Sequence, residues 1–188
     1  MLVLATPTNP GTAAFLETTA VTGSVTQLGS TGGEIVSSST LAAQTLVTIP
    51  VAAGLMNAVG NTLWLRTLLR VLATDGVVTV ACDYKIGTAT MVSFPAVLPT
   101  GTGKARYFDL CLRCVTTGAS GTLSVAGSFG GDFDSGAPPL TVAPLPTFTA
   151  DLTVAPTFTI QVTFSAVTAP VTDNQIQNVE TVLSFASS

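Results

Sequence analysis

The sequence predicts an all-β protein, and three observations support this fold class: its composition, its alternating apolar segments and its turn residues. Thr occurs 32 times among the 188 residues, and apolar residues make up 47% of the chain. A chain rich in Thr and Val favours strands, whereas its 17 Gly and 11 Pro residues are typical of turns. The expected architecture is a single jelly roll or β-sandwich of about eight antiparallel strands.

The longest apolar segment, TLWLRTLLRVLAT at residues 62–74, has a Leu content that would also suit a helix. A period of two fits it as well and places Arg66 and Arg70 on the same face. The Asp75-Gly76 pair that follows is a hairpin signal, which favours the strand. We therefore expect a hairpin between this strand and the next one, VVTVACDYKI at residues 77–86.

Other segments predict strands with the same period. They are a short stretch that ends at Pro50, a stretch around residues 91–94, and residues 105–117, 122–130, 156–167 and 176–186. The turn expected between the third and the fourth is GASG at residues 118–121. Residues 156–167 alternate most regularly, with four side chains expected to face the core: Phe158, Ile160, Val162 and Phe164.

The beginning of the chain differs from the rest. Residues 1–33 hold a single charge, Glu17, and are dominated by Thr, Ser, Gly, Ala and Pro without a sustained period. We therefore interpret residues 1–33 as an extended N-terminal arm and residues 34–188 as the β-sandwich domain.

The charged residues limit the classes of function. His is absent, which removes the commonest general base and the commonest metal ligand. The net charge of −4 argues against direct contact with nucleic acid, which needs clustered Lys and Arg. Charged residues make up only 9% of the chain, which indicates a surface covered by other subunits, with a solvated Thr- and Ser-rich surface as the alternative.

Two motifs resemble metal or redox sites. Cys111 and Cys114 form a CxxC inside a strand-like run, where residues three apart point to opposite faces and cannot share a zinc ion. Asp132 and Asp134 resemble half of a calcium loop, but two prolines follow where the loop would continue toward its Glu ligand. We expect neither a metal nor another cofactor, and a solvated turn at the two aspartates.

The sequence also bears on location. The first residues are apolar but lack a basic region, and the apolar run is too short for a signal peptide. No stretch approaches the apolar length of a spanning helix. We therefore expect no membrane contact and synthesis in a cytoplasm-like compartment, which the protein would leave only as part of a larger particle.

The basic residues are confined to one part of the sequence. All six lie between Arg66 and Arg113. They could form a positive patch that binds an acidic partner, or they could supply the solvent side of one sheet. Trp64 and Tyr84 could form a sugar-binding platform, although a single Trp on a Leu-rich strand is more often a core residue.

The order of several short segments resembles a known family. These segments are TIP at residues 48–50, LRT at residues 65–67, VTVACDYKIGTAT at residues 78–90, TTGASGT at residues 116–122, and TIQVTFSAVTAPVTDNQIQNVETVLS at residues 159–184. Together they cover about residues 34–188, and their order and spacing resemble the jelly-roll virion proteins of tailed bacteriophages. Such modules occur as capsid decoration (cement) proteins, head fibres, and tail-fibre or spike domains.

The resemblance implies a non-enzymatic homotrimer on the capsid exterior, made in the cytoplasm of a host bacterium. Its main implied partner is the major capsid protein, which a decoration protein binds and stabilises. The alternative is a fibre or spike module that recognises a receptor on the host surface. Small size, a polar N-terminal segment and the lack of an exposed aromatic cluster favour the decoration protein.

The candidate partner-binding residues lie in the arm and on the arginine-bearing strand. An extended arm of 33 residues reaches about 110 Å at ~3.3 Å per residue, which is enough to cross a neighbouring subunit. It could add a strand to the edge of a sheet while its apolar side chains fill pockets; the alternative is that it covers its own domain. The candidate residues are Leu2, Leu4, Phe15, Leu16, Val21, Arg66 and Arg70.

Overall fold

The computed structural model describes residues 25–99, 101–132 and 140–188, with the backbone alone for residues 95–97, 129 and 140–146. These residues form eleven strands and one short 3-10 helix, Val171–Asp173. The strands are β1 (Val25–Thr31), β2 (Ile35–Ser37), β3 (Gln44–Pro50), β4 (Thr62–Ala73), β5 (Val80–Ile86), β6 (Ala89–Val97), β7 (Ala105–Thr116), β8 (Gly121–Gly131), β9 (Leu140–Ala150), β10 (Thr157–Phe164) and β11 (Gln175–Ala186).

The strands form two antiparallel sheets packed face to face. The larger sheet has the order β1-β11-β4-β7-β8-β9, with β2 also paired to β11, and the smaller sheet has the order β3-β10-β5-β6. The predicted all-β sandwich is confirmed. The strands are more numerous than the expected eight or so, and their order does not establish the connectivity of a jelly roll.

The period of two in the sequence places one side of each long strand in the core. Every second residue of β10 is buried, from Phe158 to Phe164, as predicted. The rings of Tyr84, Phe94 and Phe108 meet in the core with centroids 4.6–5.7 Å apart. The buried guanidinium of Arg106 lies 5.2 Å from the centroid of the Phe94 ring, where the aromatic face attracts the cation.

The hairpin expected at Asp75-Gly76 is wrong. β4 pairs with β11 on one side and β7 on the other, which leaves no edge for β5, and β5 lies in the smaller sheet. The Asp75 carboxylate accepts hydrogen bonds from the backbone N–H groups of Val77 (2.9 Å) and Val78 (3.1 Å). The turn therefore carries the chain from one sheet to the other. By contrast, β7 and β8 form the hairpin expected at residues 118–121.

Part of the predicted arm belongs to the sandwich. Residues 25–31 form β1, which pairs with the second half of β11, while β2 pairs with the first half of the same strand. The sandwich therefore begins before residue 34. The remaining residues of the predicted arm, 1–24, lie outside the described residues.

Candidate docking face

The outward side of β4 and β7 collects large and charged side chains. Because side chains alternate along a strand, β4 buries Leu63, Leu65 and Leu69 and directs its other long side chains outward, as predicted. The two strands are neighbours in the larger sheet, so their outward residues form one continuous surface. We define the docking face by seven residues on this surface: Trp64, Arg66, Leu68 and Arg70 of β4, and Tyr107, Asp109 and Arg113 of β7.

An ion pair lies in the middle of this face. Arg66 Nε donates a hydrogen bond to Asp109 Oδ1 at 3.1 Å, and the two residues are direct cross-strand partners. The side chains are 49% and 31% exposed. A pair this exposed contributes at most about 1 kcal/mol to stability, because water and salt screen it. It mainly fixes where the guanidinium points.

The second predicted cation, Arg70, is held by a neutral partner. Its Nη2 donates to Gln177 Oε1 of β11 at 2.5 Å. Because the Gln177 amide is uncharged, this bond orients the guanidinium without cancelling its charge. Arg113 adds a third exposed guanidinium at the opposite end of the face, beside Thr62.

Tyr107, one of the aromatic residues of the face, packs against a glycine of the neighbouring strand. The Tyr107 ring lies against Gly130 of β8 so closely that a Cβ at this glycine would collide with the ring. Tyr107 nevertheless remains 44% exposed. Aromatic side chains laid over a glycine on the neighbouring strand are a known way to cover the exposed backbone.

Trp64 is only half-buried and lies opposite Cys111 of β7 and Ser184 of β11. Its interpretation as a core residue is therefore wrong. The sugar platform with Tyr84 is also wrong, because Tyr84 is fully buried and belongs to the smaller sheet. The outward face of a central strand is not distinguishable from its inward face by Leu content, since both faces of β4 carry leucine.

The other basic residues are dispersed. Lys85 lies on the smaller sheet and donates to Gln161 Oε1 at 2.7 Å, while Arg106 is in the core. Lys104 pairs with Asp132 at 2.9 Å in a partly exposed contact. The six basic residues therefore do not form one patch, but Arg66 and Arg70 share an outward face as predicted.

The Asp132 carboxylate accepts hydrogen bonds from groups within the protein. The backbone N–H of Ala105 and the Lys104 ammonium hold the pKa of its carboxyl below the ordinary 3.8. Asp134 lies outside the described residues. Within the ranges that the structure describes, no group of three or more His, Cys, Asp and Glu residues could hold a metal ion.

The two cysteines of the CxxC lie on opposite faces, as predicted. Cys114 is buried, and Cys111 is partly exposed on the outward side of β7. Cys82 is buried in β5, where desolvation raises the pKa of its thiol from 9.0 to about 11. A thiol with a raised pKa is a poor nucleophile, so Cys82 acts as a small core residue.

A cleft of about 400 Å³ lies at one end of the sandwich, between the β5–β6 turn and residues 150–157. Its walls are largely apolar, with Leu152, Val154 and Pro156 among them. The Asp151 carboxylate, which lines the cleft, accepts hydrogen bonds from Thr153 Oγ1 (2.6 Å) and Thr153 N–H (3.0 Å), which lower its pKa. The Asp151 carboxylate is therefore bound to Thr153 within the same turn.

Sequence reasoning identified two of the seven residues of the docking face, Arg66 and Arg70, as candidate partner-binding residues. The period of two in β7 already separates Tyr107, Asp109 and Arg113 from the buried residues, but only the pairing of β4 with β7 places them beside the predicted arginines. The five predicted arm residues lie outside the described residues: Leu2, Leu4, Phe15, Leu16 and Val21.

The part of the chain that the structure describes contains no helix long and apolar enough to cross a membrane. No protein-family model matches the chain, and no curated protein or solved structure matches it either.

Proposed function

We propose that the chain is a non-enzymatic structural protein of a tailed-phage virion, a capsid decoration protein that binds and stabilises the major capsid shell. The observation that supports this proposal is the docking face, which gathers Trp64, Tyr107 and three arginines on one side of a sheet. Trp, Tyr and Arg are the residues that carry most of the binding energy in protein–protein interfaces. The order of segments that resembles phage virion proteins supports the same proposal.

The docking face favours a partner surface that carries carboxylates. Guanidinium groups bind carboxylates through two parallel hydrogen bonds, which adds geometric specificity to the attraction. Arg70 and Arg113 are exposed and stand at opposite ends of the face. An acidic region of a shell protein would pair with both while its apolar groups cover Trp64 and Leu68.

A copy count tests the proposed location. Quantitative gel electrophoresis of purified virions, from the phage whose genome encodes the chain, should give hundreds of copies per particle. A few copies, in multiples set by the symmetry of a tail, would instead support the fibre or spike module. Absence from the particles would contradict both.

A matched pair of variants tests the docking face. Arg70 and Lys85 each donate to a Gln oxygen on a neighbouring strand, but they lie on different sheets. We expect Arg70→Gln to weaken binding to undecorated capsids at least about tenfold, because a charge-assisted hydrogen bond is lost. Lys85→Gln should leave binding unchanged. Equal effects of the two variants would contradict a role for this face.

We also propose that the chain is a homotrimer, because so few charges leave its lateral surfaces suited to contact with other copies. Light scattering at micromolar concentration should give the mass of three copies, or of six where two trimers associate further. A stable monomer would contradict this part of the proposal.

A further inference from the structure

Among the described residues, one edge of the larger sheet is open. β1 and β2 pair with β11 on one side, and no described strand pairs with them on the other. The two strands run in the same direction along β11 and are separated only by residues 32–34. Together they form what we call the open edge, residues 25–37, whose outward backbone groups are able to pair with a further strand.

The open edge differs from the other three sheet edges in its sequence. β3 contains Pro50, β6 contains Pro95, and β9 contains Pro144 and Pro146. Proline in an edge strand removes a donor and prevents the addition of another strand. β1 (VTQLGST) and β2 (IVS) contain neither proline nor a charged residue. Among the described edges, three therefore contain a proline that hinders further pairing, and the fourth is able to pair.

We propose that the open edge pairs with the same edge of a second copy, antiparallel across a two-fold axis. Two identical antiparallel strands are self-complementary, so residues 25–35 of the edge each receive a partner from the other copy. A register centred on Ser30 places Val25 of one copy opposite Ile35 of the other, and the axis repeats this contact. Val25 is 66% exposed and Ile35 is 48% exposed, so the pairing covers the exposed apolar side chains at both ends of the edge.

The same register matches the remaining side chains. Gln27 falls opposite Gly33, around which a Cβ would meet no atom within 4 Å. The only charged residue of the edge, Glu34, falls opposite Thr26, so no like charges meet. The second copy is therefore the occupant that fits residues 25–35 of the edge.

This contact is separate from the proposed trimer and is tested separately by the mass in solution. Sedimentation of the full chain at micromolar concentration should give two copies, or six if trimers also pair through their open edges. Two copies would support the edge contact and contradict the trimer. Three copies would contradict the edge contact and leave the trimer, and a monomer would contradict both.

A charge placed on the edge tests where the contact lies. Ser30 is exposed on β1, and Thr48 is exposed on the proline-containing edge strand β3. Ser30→Lys would bring two like charges together at the axis, and we expect it to reduce the assembled mass by half. Thr48→Lys, the matched control, should leave the mass unchanged. Equal masses for the wild type and Ser30→Lys, or dissociation by Thr48→Lys alone, would overturn the proposal.

Hydrogen exchange of the wild-type chain provides a readout that needs no variant. The backbone amides of residues 25–31 should exchange more slowly when the protein concentration is raised through the association range, while those of β6 should not change. Exchange in residues 25–31 that does not depend on concentration would overturn the proposal.

Discussion

The buried side chain of Asn178 connects the open edge to the interior of the larger sheet through Glu34. Asn178 Nδ2 donates to Glu34 Oε2 at 2.8 Å and to the Thr31 carbonyl at 3.2 Å. Its Oδ1 accepts a hydrogen bond from Thr181 Oγ1 at 2.8 Å. These bonds hold the residues between β1 and β2 against the irregularity of β11 at residues 178–180.

Replacing this amide should destabilise the fold. Asn178→Leu leaves the buried Thr181 hydroxyl and the Thr31 carbonyl without this partner, and we expect a loss of about 1–3 kcal/mol in the free energy of unfolding. Urea denaturation measures it. Gln177→Leu, one residue away on the outward face, should change stability by less than about 0.5 kcal/mol. Losses of the same size would contradict the role of Asn178.

Removing the Tyr84 hydroxyl should not weaken the protein. This hydroxyl is buried, and none of the described residues forms a hydrogen bond with it. A buried hydroxyl without a partner costs about 1–3 kcal/mol, so Tyr84→Phe should raise the free energy of unfolding by an amount in this range. Tyr107→Phe, an exposed control, should have no effect. A loss of stability in Tyr84→Phe would show that the hydroxyl has a partner.

The protein should lose stability in alkali. Desolvation raises the pKa of Cys82 from 9.0 to about 11 and raises that of Tyr84 well above 10.0. In both cases the side chain holds its proton more tightly in the folded protein than in the unfolded chain. Its contribution to the free energy of unfolding is therefore complete below the pKa of the unfolded chain, and it is lost as the pH rises through the pKa of the folded protein.

For Cys82, the free energy of unfolding decreases by about 2–3 kcal/mol as the pH rises from 9.0 to about 11. Urea denaturation at a series of pH values measures it. Cys82→Ala should lower stability at neutral pH but flatten its pH dependence in this window, while Val80→Ala, which removes no titratable group from β5, should keep the wild-type slope. An unchanged slope in Cys82→Ala would contradict the assignment.

Two glycines of β8 should respond differently to alanine. A Cβ at Gly127 would collide with the backbone oxygen of Asp109, whereas a Cβ at Gly130 would meet the ring of Tyr107. Backbone cannot move aside cheaply, but the exposed ring of Tyr107 can. We expect Gly127→Ala to lower the free energy of unfolding by about 1–3 kcal/mol, and Gly130→Ala to lower it less. The reverse order in thermal or urea denaturation would contradict this geometry.

The sequence predicted individual strands better than their partners. The alternation in β10 identified its buried face correctly, and that of β4 placed Arg66 and Arg70 together outside. Both predictions depend only on local periodicity. The partners of β4, however, are β7 and β11, and contacts between residues as distant as Arg66 and Val182 have no signature in a local pattern.

The same limit explains the partly predicted docking face. Tyr107 and Asp109 belong to it only because β7 lies next to β4, which no single segment reveals. The Asp75-Gly76 signal was misleading for a related reason. A turn whose carboxylate binds its own backbone amides suits a crossing between sheets as well as a hairpin. Because β7 and β11 occupy both sides of β4, β5 cannot pair with β4, and the turn is a crossing.

The position of β11 has a consequence for the order in which the protein folds during synthesis. Its residues 175–186 lie between β1 and β4, so β1 has no described neighbour in the larger sheet until those residues have left the ribosome. The β7–β8 hairpin, by contrast, is complete once Gly131 has emerged. During synthesis the middle strands of the larger sheet are therefore available to pair before β1 can, and a nascent chain paused before residue 175 leaves β1 and one side of β4 without their β11 partner.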